Sequence, residues 1–261
     1  MAPSEGSGNR EPCTSWQMSA ITVRIGTWNV AYASLANNAR RLALLSAASA
    51  DIWILTETRD EFDLGPEHTP VSSQPRYGTV GTPRWVTIWS RFPMTEAVPV
   101  RDCSRTVAAL YATPLGPLLV YGTVLPWHSD RDAGDAANWV KHHHVISEQG
   151  AEWADLRERH HDAALCIAGD LNMNFGGPHY YGTAKGRTLL RAALTNAGLI
   201  CVTGTDRIPA PWLGHAPIEH ICLSAPQAAR TRVVAAWEGA DANGVRLSDH
   251  SGLVVEIAGG E

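Results

Sequence analysis

The chain has 261 residues, 44% of them hydrophobic and 18% charged, with a formal net charge of −5. That length admits one large α/β domain or two small ones, and no apolar run approaches the roughly 18 residues that cross a bilayer. The acidic balance argues against a protein that grips nucleic acid on a broad basic face, though it leaves room for a local basic groove.

In chain order, residues 1–19 are polar and rich in Ser, Gly and Pro, with no basic-then-apolar secretory pattern, and read as a disordered leader ahead of a single domain over 20–261. Residues 21–30 alternate and are β-branched, so they form a strand with Asn29 at its end. Residues 37–50 form a helix that turns Leu42 and Leu45 inward. Residues 51–58 are a second buried strand, ending near Glu57. A loop covers 59–74. Residues 85–90 form a strand, 91–94 a turn, and 98–100 and 106–113 further short strands. After a tight turn at 114–117, residues 118–125 form a strand that ends at Pro126-Trp127-His128. The longest helix is expected over 136–159.

Residues 165–169 are small or apolar and run into Asp170, Leu171, Asn172 and a Gly-rich loop. A short apolar run bounded by turn residues reads as a buried strand. At a period of two, Asp170 and Asn172 share one face. Such a pair either binds a hard cation, or positions a phosphate and its attacking water, or closes the strand as an Asx turn. A helix over 188–197 follows, with Gly198 as its C′ residue. Strands follow at 199–202, 218–224, 231–236 and 252–257, the last preceded by Leu247-Ser248-Asp249-His250. Strand-helix-strand units beside consecutive strands imply two mixed sheets face to face with helices outside.

The strand ends deliver Asn29, Glu57, His128, Asp170 with Asn172, and Asp249 with His250. Ligands of α/β sheets bind outside the carboxyl ends of strands. An oxygen-rich cluster there suits Mg²⁺ or Mn²⁺, with Ca²⁺ a third candidate, rather than zinc. A hard cation beside an imidazole is the equipment of metal-assisted hydrolysis.

Five motifs stand in order over residues 22–257: Thr27-Trp28-Asn29-Val30, Leu55-Thr56-Glu57, Ala168-Gly169-Asp170-Leu171-Asn172, Ile218-Glu219-His220-Ile221 and Leu247-Ser248-Asp249-His250. In these the chain resembles the endonuclease/exonuclease/phosphatase superfamily, whose deoxyribonuclease-I-like fold is a four-layer α/β sandwich. The resemblance implies a phosphoesterase. Glu57 resembles the principal divalent-cation ligand, with Asn29 beside it and Asp249 a further acid near the metal. Asp170 resembles the acid that orients or deprotonates water, Asn172 the carboxamide on the scissile phosphate, and His250 the histidine of acid/base catalysis. Two departures stand out. Glu219 replaces the usual Asp that orients that histidine. Val124 stands where the family commonly has His in Thr-His-Leu, so His128, three residues on, either reaches the site or is loop surface.

Other features read more plainly. His142-His143-His144 point three ways on a helix and read as a solvated face. The glycine-spaced loop at 177–182 lacks the Lys-Ser/Thr of a triphosphate site, and no G-x-S-x-G elbow is present. Trp28, Trp53, Trp85 and Trp89 read as core. Trp127, Trp212 and Trp237 fall near loops, where an indole either stacks a base or sugar or packs the rim. Arg105, Arg91, Lys185 and Arg187 are the basic candidates near the mouth, so Arg105 and Trp127 join Asn172 as substrate contacts. Cys13, Cys103, Cys166, Cys201 and Cys222 form no C-x-x-C pair and imply a reducing, cytoplasmic setting. Of these, Cys166, Cys201 and Cys222 read as buried packing. The leading function is a divalent-metal-dependent phosphodiesterase or nuclease, acting as a monomer on a phosphate ester, with nucleic acid among the candidate substrates. The alternatives are a phosphomonoesterase on an inositol, sugar or lipid phosphate, and a non-catalytic phosphate-binding module.

Overall fold

Two strand-helix-strand units set the architecture. The computed structural model describes residues 21–32, 35–76, 83–134, 137–177 and 180–260. The expected leader, Cys13, Ala136 at the expected start of the long helix, and Pro178 and His179 of the glycine-spaced loop lie outside them. The elements run β1 (Thr22–Asn29), α1 (Asn38–Ala48), β2 (Ile52–Arg59), β3 (Thr69–Ser72), β4 (Pro83–Ser90), β5 (Met94–Val98), β6 (Thr106–Thr113) and β7 (Gly116–Val124). Then come α2 (Val140–Arg159), β8 (Ala164–Asp170), α3 (Ala184–Asn196), β9 (Leu199–Cys201), β10 (Glu219–Ser224), α4 (Ala225–Ala228), β11 (Thr231–Trp237) and β12 (Gly252–Ala258).

One sheet has the order β11-β12-β1-β2-β4-β3 and the other β5-β6-β7-β8-β10-β9. Each holds one parallel pair, β1 with β2 and β7 with β8, bridged by α1 and α2 respectively; the other pairings are antiparallel. Val23, Ile25, Ile54 and Ile88 of the first sheet meet Ala109, Val120, Ala168 and Ile221 of the second in a dry core between them. A second core joins the outer face of the second sheet to α2 and α3 through Tyr121, Ile167, Trp153, Leu156 and Leu190. A third joins the first sheet to α1 through Trp28, Trp53, Trp89 and Leu45. The result is the expected four-layer sandwich of helix, sheet, sheet and helix. The four indoles read as core are at most 5% exposed.

Several element bounds differ from the sequence reading, each for a local reason. Residues 69–72, read as loop, form the edge strand β3, where Pro70 needs no ladder N–H. The strand expected at 98–100 lies earlier, at Met94–Val98, paired with β6. Helix α3 starts at Ala184 rather than 188, because the Thr183 hydroxyl accepts the Gly186 N–H at 2.9 Å and caps it. Helix α2 starts at Val140, after Trp139 in a left-handed φ of 70°. His142, read as solvated, is fully buried, and its Nδ1–H donates to the Pro126 carbonyl. His143 instead meets the Thr183 hydroxyl at 2.7 Å, and His144 is exposed beside Glu148. Among the described residues no helix is long and apolar enough to cross a membrane.

Candidate active site

Topology decides which acids meet. At one end of the sandwich lie the carboxyl ends of the parallel strands β1, β2, β7 and β8 and the amino ends of their antiparallel neighbours β10 and β12. Asp170 closes β8 and Glu219 opens β10, directly opposite in register. Asn29 closes β1, and the loop before β12 brings Asp249 and His250 to the same edge. That loop is pinned by the Ser248 hydroxyl donating to the Asn29 carbonyl at 2.6 Å and the Trp28 Nε1–H donating to the His250 carbonyl at 3.0 Å. Gly169, one residue before Asp170, has φ 134°, and a Cβ there would lie 2.1 Å from the Thr123 oxygen. Only glycine lets β7 and β8 approach closely enough to set Asp170 in place.

Asp170 is 2% exposed and Glu219 fully buried. Asp170 Oδ1 accepts the Asn172 N–H at 2.9 Å, so the Asx turn and the site are one structure. Its Oδ2 lies 3.4 Å from Asn29 Nδ2, a contact that ties the two sheets together at the site. His250 Nδ1–H donates to Glu219 Oε1 and lies 3.9 Å from Asp170 Oδ2. The extra methylene of Glu219 therefore does not separate it from the imidazole.

The charges explain the proton positions. Burial pushes the Asp170 carboxyl up, the His250 charge pulls it down and Glu219 pushes it back, leaving it at about 7. Burial pulls His250 down, but Glu219, Asp170 and Asp249 outweigh it and hold the imidazole at about 10. Near neutral pH the histidine is thus an imidazolium beside Glu219, and the Asp170 carboxyl is partly protonated. Because Nδ1 is bound to Glu219, His250 presents Nε2, which lies 3.8 Å from Asp249 Oδ1. The Asp249 carboxylate is two-thirds exposed. Glu219, Asp249 and His250 line a cleft of about 310 Å³ together with Tyr180 and His215.

Glu57 enters from the other sheet by a backbone device. The β2–β4 ladder pairs Thr56 with Val86 and Thr58 with Arg84 and skips Glu57, which has φ 52°. Asn172 has φ 49°. A non-glycine residue held there costs about 1–3 kcal/mol, and such strain clusters at functional sites. Burial lifts the Glu57 carboxyl above its usual range; Asn29, His250 and Arg76 lower it and Asp249 raises it. Asn29 and Asp249 both act on Glu57, and oxygen side chains of these three types are the kind that could hold a hard divalent cation. Asp170, Glu219 and His250 also bring ligand atoms within 4.8 Å of one another. There the imidazole nitrogen carries a proton toward Glu219, and a ligating histidine must be neutral.

The remaining expected residues divide. Asn172 is 5% exposed and donates Nδ2–H to the Leu125 carbonyl at 2.9 Å. Arg105 is buried and ion-paired with Asp130, and its guanidinium lies 4.7 Å from the Trp85 ring centre. Trp127 packs on the same indole at 5.9 Å. His128 is exposed and packs on Trp139 and Tyr181 rather than on the acids. Val124 is buried opposite Asp170. Arg91, expected at the mouth, lies at the far end of the sheet with Asp51 and Glu67, because β4 runs antiparallel to β2. Lys185 and Arg187 lie in the first turn of α3.

Sequence reasoning missed a wall beside Glu57. Arg76 lies over Trp85 at 4.3 Å and Tyr32 at 5.2 Å and donates to the Tyr32 hydroxyl at 2.8 Å. The Arg76 and Arg105 guanidiniums both lie over the Trp85 ring, at 4.3 and 4.7 Å from its centre. Arg76 sits in a loop outside any motif; the only signal was its place just before the β4 indoles.

A family model described as the Endonuclease/Exonuclease/phosphatase family matches residues 26–250. No curated protein matches the sequence significantly. Among solved structures, a 3′ phosphatase from Neisseria bound to a product DNA hairpin is similar at 18% identity and a TM-score of 0.64, over 90% of this chain and 99% of that one. An AP endonuclease from Leishmania major is similar at 16% identity and 0.63, over 92% and 88% of the two chains. The endonuclease domain of a telomere-specific non-LTR retrotransposon is similar at 16% identity and 0.63, over 91% and 98%. At such identities the likeness is one of fold.

Proposed function

The chain belongs to the endonuclease/exonuclease/phosphatase family, hydrolases that act on phosphate esters, and from that premise we propose that it cleaves phosphodiesters with a divalent cation. The observation that carries the reading is the meeting, across the two sheets, of the buried acid Asp170 with the Asn29 amide, 3.4 Å away, which in turn acts on Glu57.

In this reading Glu57, Asn29 and Asp249 would hold Mg²⁺ or Mn²⁺, with Ca²⁺ also suited to the oxygens, and an ion held there would offset charge on the phosphoryl oxygens. Asp170, with its carboxyl at about 7, takes the proton of the attacking water. Its Oδ1 is fixed by the Asn172 N–H, which leaves Oδ2 as the basic atom. His250, held in one orientation by Glu219, offers Nε2–H to the phosphate and steadies the charge that builds there. Asn172 gives one amide hydrogen to Leu125 and the other to the scissile phosphate. The half-buried Trp127 indole, at the edge of the cation–aromatic wall of Arg105, Trp85 and Arg76, favours a nucleotide-bearing diester, since an accessible indole can stack on the face of a base.

The test is hydrolysis of bis-p-nitrophenyl phosphate, p-nitrophenyl phosphate, DNA and RNA with Mg²⁺ or Mn²⁺, against Asp170→Ala. Metal-dependent cleavage of diesters that is lost in the variant is expected. Preference for the monoester would turn the reading to a phosphomonoesterase. Cleavage indifferent to chelation would overturn the role of the cation.

A further inference from the structure

Away from the site, on the outer face of the second sheet, three side chains form a group that the hydrolytic chemistry does not use. Cys201 closes β9 and stands directly opposite Cys222 of β10. The next pair along the ladder, Val202 with Ile221, is the hydrogen-bonded one, with the Val202 N–H donating to the Ile221 carbonyl at 2.9 Å. Antiparallel pairs alternate, so Cys201 and Cys222 occupy a non-hydrogen-bonded pair, where Cα atoms stand about 4.5 Å apart and side chains come closest. That falls within the roughly 4.4–6.8 Å over which a disulfide closes without backbone movement.

A base stands beside them. The Met173 carbonyl only accepts, so His220 Nε2 donates to it at 2.8 Å, and Nδ1 of the neutral ring is left as acceptor. Cys201 Sγ lies 3.5 Å from that Nδ1, and the Thr203 hydroxyl 3.2 Å. Access also differs between the two sulfurs. Cys201 is half-buried and lines a cleft of about 590 Å³ with Arg191 and Arg207, while Cys222 is fully buried behind it. Cys166 points to the other face of the sheet, into the core between the sheets, and does not compete. Cys201 is therefore not the inert packing residue its sequence suggested.

We infer that Cys201 and Cys222 form an oxidisable cross-strand pair that hydrogen peroxide converts to a disulfide. Cys201 gives its proton to His220 and attacks the peroxide. An S–O bond forms as the O–O bond breaks, and the departing hydroxide takes up a proton to leave as water. Cys222 then attacks the Cys201 sulfur. The S–S bond forms, the S–O bond breaks, and the Cys222 proton leaves with the hydroxide as a second water. Two thiols are oxidised by two electrons in all, and the peroxide is reduced. The His220 imidazole lies beside Cys201 and the cleft opens onto it, while Cys222 is buried, so Cys201 is the sulfur that becomes the thiolate and meets the peroxide. That orders the steps, since the thiolate is the nucleophile.

The experiment treats the full, reduced chain with hydrogen peroxide, alkylates the remaining thiols, and maps peptides by mass spectrometry with and without a reductant. The expected result is a reductant-sensitive link between the Cys201 and Cys222 peptides, with loss of two hydrogens, formed equally in Cys103→Ser and Cys166→Ser. In Cys222→Ser the link is absent and dimedone traps a sulfenic acid on Cys201. A wild-type chain in which both cysteines stay alkylatable, or in which Cys201 advances to the sulfinic acid with no link, overturns the proposal. Because the readout is a covalent mass, it stands or falls independently of the hydrolytic activity.

Discussion

The end of β2 and the end of β8 use the same backbone device for different work. Each sets a residue in a left-handed φ, Glu57 at 52° and Asn172 at 49°. Around β8 the acid Asp170 is sealed from solvent, fixed by the Asn172 N–H, and faces an imidazolium and a second carboxylate. Glu57 is only half-buried, and beyond burial its carboxyl is acted on by the neutral Asn29 amide, by His250, by Asp249 and by Arg76. Enclosure with a protonated partner suits a group that exchanges protons. Openness beside the oxygens of Asn29 and Asp249 suits one that holds an ion. On the proposed mechanism, Asp170 of the second sheet handles the proton and Glu57 of the first holds the ion.

Substitutions that touch one of these roles and spare the other break this comparison. Asp170→Asn keeps the shape and removes the base, so kcat on a diester is expected to fall about a thousandfold or more with little change in KM, measured by steady-state kinetics at saturating Mn²⁺. Glu219→Gln leaves His250 in place but strips its counter-charge, with an expected loss of about a hundredfold in kcat. Partial recovery in Glu219→Asp would show that the charge, rather than the fold, was lost. Trp127→Ala is expected to raise KM for oligonucleotides about tenfold, the scale of one lost base stack, while leaving bis-p-nitrophenyl phosphate unchanged.

The smallest effect lies in stability. Burial pulls His142 down from 6.5 to about 4 against the pull of the Pro126 carbonyl. The unfolded chain therefore gains this proton first as pH falls. The stabilisation is complete above pH 6.5 and is lost toward pH 4, at about 1 kcal/mol per pH unit. Urea midpoints at pH 7 and pH 5 should converge in His142→Gln relative to the parent.

Much of this was legible because strand ends in such sheets carry function. Asn29, Glu57, Asp170, Asn172, Glu219 and His250 come from five ordered motifs, and the topology brings them to one edge. The structure also shows why Glu219 serves where Asp is usual: β10 begins there, in register with Asp170, and the longer side chain still reaches His250. What escaped the sequence depended on contacts between distant segments. His142 looked like one of three exposed imidazoles until the Pro126 carbonyl, sixteen positions away, claimed it. Arg91 carries the right charge but sits at the wrong end of an antiparallel strand. Arg76 joined the site only through indole stacking across loops that no periodicity marks. Cys201 and Cys222 are separated by 20 intervening residues, and only the β9–β10 register pairs them.

The division of labour is tested most directly by titrating Mn²⁺ into the parent, Glu57→Gln and Asp170→Asn during bis-p-nitrophenyl phosphate hydrolysis. The half-saturating Mn²⁺ concentration of Glu57→Gln is predicted to rise at least about tenfold, with rate recovered at high Mn²⁺. Asp170→Asn is predicted to bind Mn²⁺ nearly as the parent does yet stay slow at every concentration. Full recovery of Asp170→Asn by Mn²⁺, or a parent rate that chelation leaves unchanged, would contradict the account.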